Sequence, residues 1–170
     1  ARVADARLPE VAWGEAGPAP DAYPRLERPW PETEGLVDHL GAPFGLTRLG
    51  GRPALVTFAF GHCATLCPLV VHEVRAARAE LGPDFAIVVF TVDPWRDTPS
   101  RLGPLLAQWG LDPARDFVVG GPVEAVSAAL DAWAVGRSRD PRTGDVVHPG
   151  IVYLVAADGT VVYQSGGGAE

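Results

Sequence analysis

Lysine and methionine are both absent from this chain of 170 residues, and cysteine occurs only twice. Each shortage excludes something. All 14 basic residues are arginine, against 21 acidic ones, and the net charge is −7. An acidic chain with no basic block lacks the electrostatic footprint of a nucleic-acid binder. The arginine bias itself reads as base composition of the source genome. Without methionine there is no thioether, so any soft-metal site must be built from cysteine and histidine. Long apolar runs are missing too. The longest, Ala54–Phe60 and Phe85–Val92, fall far short of the roughly 20 residues that span a bilayer as a helix. No signal peptide is visible and the first residue is not Met. The expectation is a fragment or processed form whose targeting segment, an N-terminal membrane anchor, is missing.

What is present suits one globular domain with a real core, since 47% of the residues are hydrophobic. Residues 1–33 carry Pro9, Pro18, Pro20, Pro24, Pro29 and Pro31 and show no periodicity. They read as an extended arm or linker, with the folded domain at 34–170. Leu36–Leu40 and Phe44–Leu49, separated by Gly41-Ala42-Pro43, read as a short hairpin. Ala54–Phe60 is a continuous apolar run of strand length, as expected for a strand buried on both faces. Leu66, Leu69, Val70, Val74, Ala77 and Leu81 recur at helical spacing, and Gly82-Pro83 stops that helix. A second strand at Phe85–Val92, a helix from Pro99 to about Trp109 capped by Asp97 or Thr98, a short strand at Phe117–Val119 and a helix over Pro122–Ala134 follow. Gly136–Asp145 is a polar excursion, and Ile151–Ala156 with Thr160–Tyr163 makes a hairpin about Asp158-Gly159. Alternating strands and helices imply parallel crossovers, and the closing hairpin makes the sheet mixed. The predicted fold is α/β and thioredoxin-like: a central mixed sheet flanked by helices, with an N-terminal hairpin.

The two cysteines stand in Gly61-His62-Cys63-Ala64-Thr65-Leu66-Cys67-Pro68, where the first central strand hands over to a helix. On a helical turn, residues four apart have Cα atoms about 6 Å apart, inside the disulfide range. A helix N-terminus also favours the thiolate. The pair can form a disulfide, exchange electrons with another dithiol, or hold a soft metal. Thioredoxin-type dithiols have two intervening residues, whereas this pair has three. Two inert buried thiols are the bland alternative, disfavoured by their place at the functional end of such a fold. A third ligand would come from histidine. His39 reads as solvated, His72 lies about 140° round the helix from Cys67, and His62 adjoins Cys63 with its side chain aimed away. His148 stands just before the last central strand, in a loop that a thioredoxin-like sheet sets beside the cysteine junction.

Three segments carry a resemblance to the SCO/SenC family of copper proteins. They are Phe58-Ala59-Phe60-Gly61-His62-Cys63-Ala64-Thr65-Leu66-Cys67-Pro68, similar to the family's CxxxCP segment; Thr91-Val92-Asp93-Pro94-Trp95-Arg96-Asp97-Thr98-Pro99, similar to its VDPxRDTP loop; and His148 followed by Val152-Tyr153-Leu154 and Asp158-Gly159. The resemblance spans about residues 36–164. It implies a copper ion held by Cys63, Cys67 and His148, and delivery of that copper in assembly of the dinuclear centre of cytochrome c oxidase. The implied partner is the copper-bearing subunit of that oxidase or another copper or thiol client. The implied location is extracytoplasmic: the periplasm or the outer face of the cytoplasmic membrane.

The chain departs from the family pattern at Ala64 and Thr65, where Pro and Asp are usual, at Val147 in place of Asp, and at Pro149. These changes remove carboxylates from around the site. Pro149 is also a candidate cis-proline by analogy with thioredoxins. The family tends to end in a helix, whereas this chain ends in Gly166-Gly167-Gly168-Ala169-Glu170. Asp93, Arg96 and Asp97 read as a turn held by an Asp–Arg pair and a helix cap rather than as part of a docking loop near the copper, since their spacing is not that of metal ligands, with Trp95 a candidate partner contact. The rival function is an enzymatic one, a thiol–disulfide oxidoreductase in which Cys63 and Cys67 are catalytic and reduce a partner's cysteines. A thiol peroxidase lacks its cysteine signature here, and a closed zinc site wants four ligands where three are available.

Overall fold

The computed structural model describes residues 25–62 and 66–166, with the side chains of residues 25 and 66–68 left aside. Among the described residues the strands are β1 (Arg25–Pro29), β2 (Ala54–Ala59), β3 (Ala86–Thr91), β4 (Phe117–Val119), β5 (Ser138–Arg139), β6 (Val146–Val147), β7 (Val152–Val155) and β8 (Thr160–Ser165). The helices are α1 (Leu66–Leu81), α2 (Pro99–Gln108) and α3 (Val123–Ala132), with a 3₁₀ turn at Leu46–Leu49. Six strands form one sheet in the order β1-β8-β7-β2-β3-β4, while β5 and β6 pair separately. β2 runs parallel to β3, and β3 to β4, through crossovers that contain α1 and α2. β7 pairs with β2 antiparallel, and β8 pairs antiparallel with β7. This is the mixed α/β arrangement expected of the sequence.

Every residue of β2 and of β3 is buried, as continuous apolar strands at the centre of a covered sheet should be. The core carries an aromatic cluster: Trp30 meets Trp133 edge-on at 4.9 Å, and Phe58 stacks on Phe90 at 5.7 Å. Tyr153 adds its ring at 5.3 Å from Trp133 and donates its hydroxyl to the Trp133 carbonyl at 2.7 Å.

Three expectations are corrected. The 1–33 arm does not stay outside the domain. Residues 1–24 lie outside the described residues, but Arg25–Pro29 pairs with β8 at the sheet edge and Trp30 is buried. Proline is tolerated there because an edge strand leaves N–H groups unpaired. The hairpin before Gly50 is only half strand-like. Phe44 N–H donates to Leu36 and Asp38 N–H to Ala42, but Leu46–Leu49 winds into the 3₁₀ turn. On α1 the buried stripe is Val70, Val71, Val74 and Leu81, while Leu69 faces solvent.

Candidate metal centre

The antiparallel register of β2 and β7 pairs Thr57 with Val152. Residues that precede 152 therefore run alongside residues that follow 57, which carries His148 toward the C-terminal end of β2. The contacts agree. Thr57 donates its hydroxyl to the Ile151 carbonyl at 2.8 Å. The His148 ring meets Phe60 edge-on, with centroids 5.9 Å apart. On the other side of the loop, a Cβ built on Gly150 would lie 3.5 Å from Val70, which follows Cys67 by three residues on α1. The histidine segment thus lies against both the strand that leads into the cysteine segment and the helix that leaves it.

Cys63 lies outside the described residues. Cys67 falls in the first turn of α1, which starts at Leu66. His148 is 8% exposed, and burial holds its imidazole below the usual histidine range, partly opposed by the Pro149 carbonyl. Its Nδ1 lies 3.0 Å from that carbonyl oxygen, which can only accept. The ring is therefore neutral at physiological pH with Nδ1–H donating, the tautomer that leaves the lone pair on Nε2. The same carbonyl accepts the Ile151 N–H at 3.1 Å. The peptide bond before Pro149 is trans, as are all those of the described residues.

The other histidines separate clearly. His62 and His72 are exposed. His39, expected in solvent, is half-buried instead, with its ring 6.2 Å from Phe117 and its Nε2 3.4 Å from the Pro113 carbonyl. Among the described residues, no three histidine, cysteine or carboxylate side chains cluster as a metal site. A neutral imidazole with one nitrogen fixed in place is a suitable donor for a soft or borderline cation.

The Asp93–Asp97 segment has more to do than make a turn. Asp93 is fully buried and pairs with Arg96 through Nε. Asp97 is not the cap of α2; that position belongs to Thr98, whose side chain makes no capping bond. Asp97 Oδ2 instead accepts the Thr91 hydroxyl at 2.7 Å and the Gly61 N–H at 3.1 Å. A Cβ on Gly61 would fall 2.8 Å from the end of the Leu105 side chain and 3.0 Å from Asp97 Oδ1, so a larger residue here would have to displace both. Burial raises the Asp97 carboxyl above its usual range and Asp93 adds to the rise, while Thr91, Gly61 and His62 oppose it. No spacing in the sequence signals a contact between residues 36 apart.

A family model for SCO1/SenC proteins matches residues 33–168. The chain belongs to the SCO1/SenC family. A SCO1 protein homolog of Bacillus subtilis is 29% identical over 132 residues, covering 75% of this chain and 68% of its own length. The copper-bound ScoI of Arabidopsis thaliana superposes with a TM-score of 0.70 at 21% identity, over 85% of this chain and 89% of that one. BsSco, a member of the Sco family of cytochrome c oxidase assembly proteins in which a disulfide switch was identified, superposes with a TM-score of 0.63 at 25% identity, over 84% and 87%. The SCO-type fold is thus shared across the sheet and its helices.

Proposed function

We propose that this SCO1/SenC protein is a copper metallochaperone. Cys63 and Cys67 supply thiolates and His148 supplies Nε2, and copper is passed to a client by exchange of these ligands. The client class is the copper-bearing subunit of cytochrome c oxidase, reached on the extracytoplasmic side of the membrane from an N-terminal anchor. The observation that carries the reading is the seat of His148: a buried, neutral imidazole against Phe60, three residues ahead of Cys63 in the chain. Membership of the family and the copper bound in the Arabidopsis relative support the choice of metal.

The donor chemistry explains why a histidine matters. Two thiolates suit Cu(I), and an imidazole added to them makes the set acceptable to Cu(II) as well. Reduced protein is therefore expected to bind one copper ion, with Cu(II) giving a sulfur-to-copper charge-transfer band. His148→Ala should abolish or strongly weaken that band, and Cys63→Ser or Cys67→Ser should lose tight Cu(I) binding. Copper titration with optical spectroscopy checks all three. Full Cu(I) binding by Cys63→Ser would sink this ligand set.

The disulfide switch in BsSco favours a second reading of the same pair. Here Cys63 and Cys67 act as a thiol–disulfide oxidoreductase. One thiolate attacks a client disulfide, the other resolves the mixed disulfide, and two electrons and two protons pass to the client while Cys63–Cys67 becomes oxidised. His148 separates the readings, because dithiol exchange does not require it: reductase activity would survive His148→Ala, whereas Cu(II) binding would not.

A further inference from the structure

Two chain segments must meet for the proposed site to exist, and they reach it from opposite directions. The cysteine arm leaves β2 through Phe60 and Gly61. The histidine arm leaves the β5–β6 hairpin, where Ser138 pairs with Val147 and Arg139 with Val146, and His148 follows at once. Neither β5 nor β6 joins the main sheet, and each is two residues long. A two-stranded ribbon of that size is not stable by itself. Something else must hold it.

The Asp93–Asp97 loop touches both arms. Toward the cysteine arm, Asp97 accepts the Gly61 N–H. Toward the histidine arm, Arg96 Nη2 donates to the Gly144 carbonyl at 2.8 Å and lies 3.8 Å from the Asp145 carboxylate. Trp95, beside it, receives the Arg139 guanidinium over its ring at 4.4 Å. Arg96 is itself fixed, because its Nε is committed to the buried Asp93 carboxylate. The planar guanidinium therefore joins the loop and the hairpin turn in a fixed geometry, which an ammonium cannot reproduce.

We propose that Asp93–Asp97 is a bracket that sets the separation of the two ligand-bearing arms, with Asp97 the positioning residue for the cysteine arm and Arg96, assisted by Trp95, the positioning residue for His148. The ligand roles rest on the copper reading above; the bracketing of the two arms does not. Asp93 serves to orient Arg96. The turn at Gly144, with φ +79, is the point gripped, and it lies four residues ahead of His148.

The test uses the whole reduced protein, without metal first. Arg96→Lys keeps a cation for Asp93 while losing the second arm of the fork, and Arg139→Ser removes the ring contact at the surface. Both are expected to leave global unfolding close to wild type. Both should speed amide hydrogen exchange across residues 138–148, by about tenfold for the lost charge-assisted bond in Arg96→Lys. They should also broaden or double the His148 imidazole resonances, while the Cys63/Cys67 dithiol potential stays put. Asp97→Ala should do the converse, moving the dithiol potential and sparing the hairpin. Asp97→Asn, which retains a carbonyl acceptor, should restore it. Unchanged exchange and unchanged His148 signals in Arg96→Lys would overturn the bracket. Copper is then added: loss of the Cu(II) band in Arg96→Lys, as in His148→Ala, extends the bracket to ligand placement. A wild-type protein that takes no copper rejects the metallochaperone reading alone and leaves the hydrogen-exchange result to judge the bracket.

Discussion

Asp97 is a buried carboxylate whose hydrogen-bond partners are the neutral Gly61 N–H and Thr91 hydroxyl. Burial dominates its titration and favours the protonated form, so the folded state holds this proton more tightly than the unfolded chain does. Between the ordinary value of 3.8 and the raised folded value, native protein carries more protons, and stability falls as pH rises through that window. Asp97→Asn keeps a carbonyl acceptor and never ionises. The stability of wild type relative to Asp97→Asn is therefore expected to decline from about pH 4 upward and then level off once Asp97 is ionised. Urea unfolding at a series of pH values measures this, and a pH-independent difference would mean that the carboxyl is not perturbed. The motif spacing brings Asp97 to notice in the sequence, but a side chain that serves a glycine 36 residues upstream looks there like an ordinary turn or cap residue. His148 was more legible, because its position before a strand fixes its place once the sheet order is known. The seat against Phe60 follows from the Thr57–Val152 register rather than from anything local to the histidine.

At the scale of elements, α1 carries Cys67 in its first turn and is anchored in its last. Arg78, 11% exposed, pairs there with the fully buried Asp116. The Asp116 carboxylate also accepts the Ile87 N–H at 3.0 Å and the Asp112 N–H at 2.8 Å, so one side chain joins α1, β3 and the loop before β4. Removing the cation leaves a buried charge with only backbone partners. Arg78→Ala is expected to cost about 3 kcal/mol by denaturant unfolding. Copper stoichiometry should not change, because the proposed ligand Cys67 lies at the other end of the helix. A proportionate loss of copper binding would show that α1 does not act as a rigid unit. The elements with strong patterns were the ones that could be read: β2 and β3 as apolar runs, α1 by its 3.6 period, β7 and β8 from Asp158-Gly159. β1 was not. Its five residues include Pro29 and make a strand only because β8 offers them an edge. The β5–β6 hairpin was equally opaque, since two-residue strands carry no period and its anchors come from Trp95 and Arg96.

Over the whole molecule, that edge decides where the domain begins. Sequence composition puts the boundary at residue 34, after the last proline of the arm. The fold puts it at or before Arg25, since β1 covers the outer side of β8 and delivers Trp30 to the core. Trp30 is 6% exposed and meets Phe44 at 6.3 Å, Phe90 at 6.5 Å and Trp133 at 4.9 Å, joining the N-terminal segment, the centre of the sheet and α3's end in one aromatic cluster. Its backbone N–H donates to the Gly159 carbonyl at 3.0 Å, which also fixes the β7–β8 turn. Trp30→Ala would empty the largest single volume that the N-terminal segment contributes to this cluster. A loss of about 3–5 kcal/mol is expected, the range for large aromatic truncations in a packed core. Trp30→Phe, which refills most of the volume, should recover the greater part. A chain that starts at residue 34 should fare worse than Trp30→Ala, because it also bares the backbone of β8 and so presents an unpaired edge to other chains. Denaturant unfolding gives the stabilities, and light scattering of the shortened protein reads the exposed edge. If both changes left stability and solubility at wild-type levels, the domain would begin at residue 34 after all, and β1 would be a strand that merely rests on the sheet.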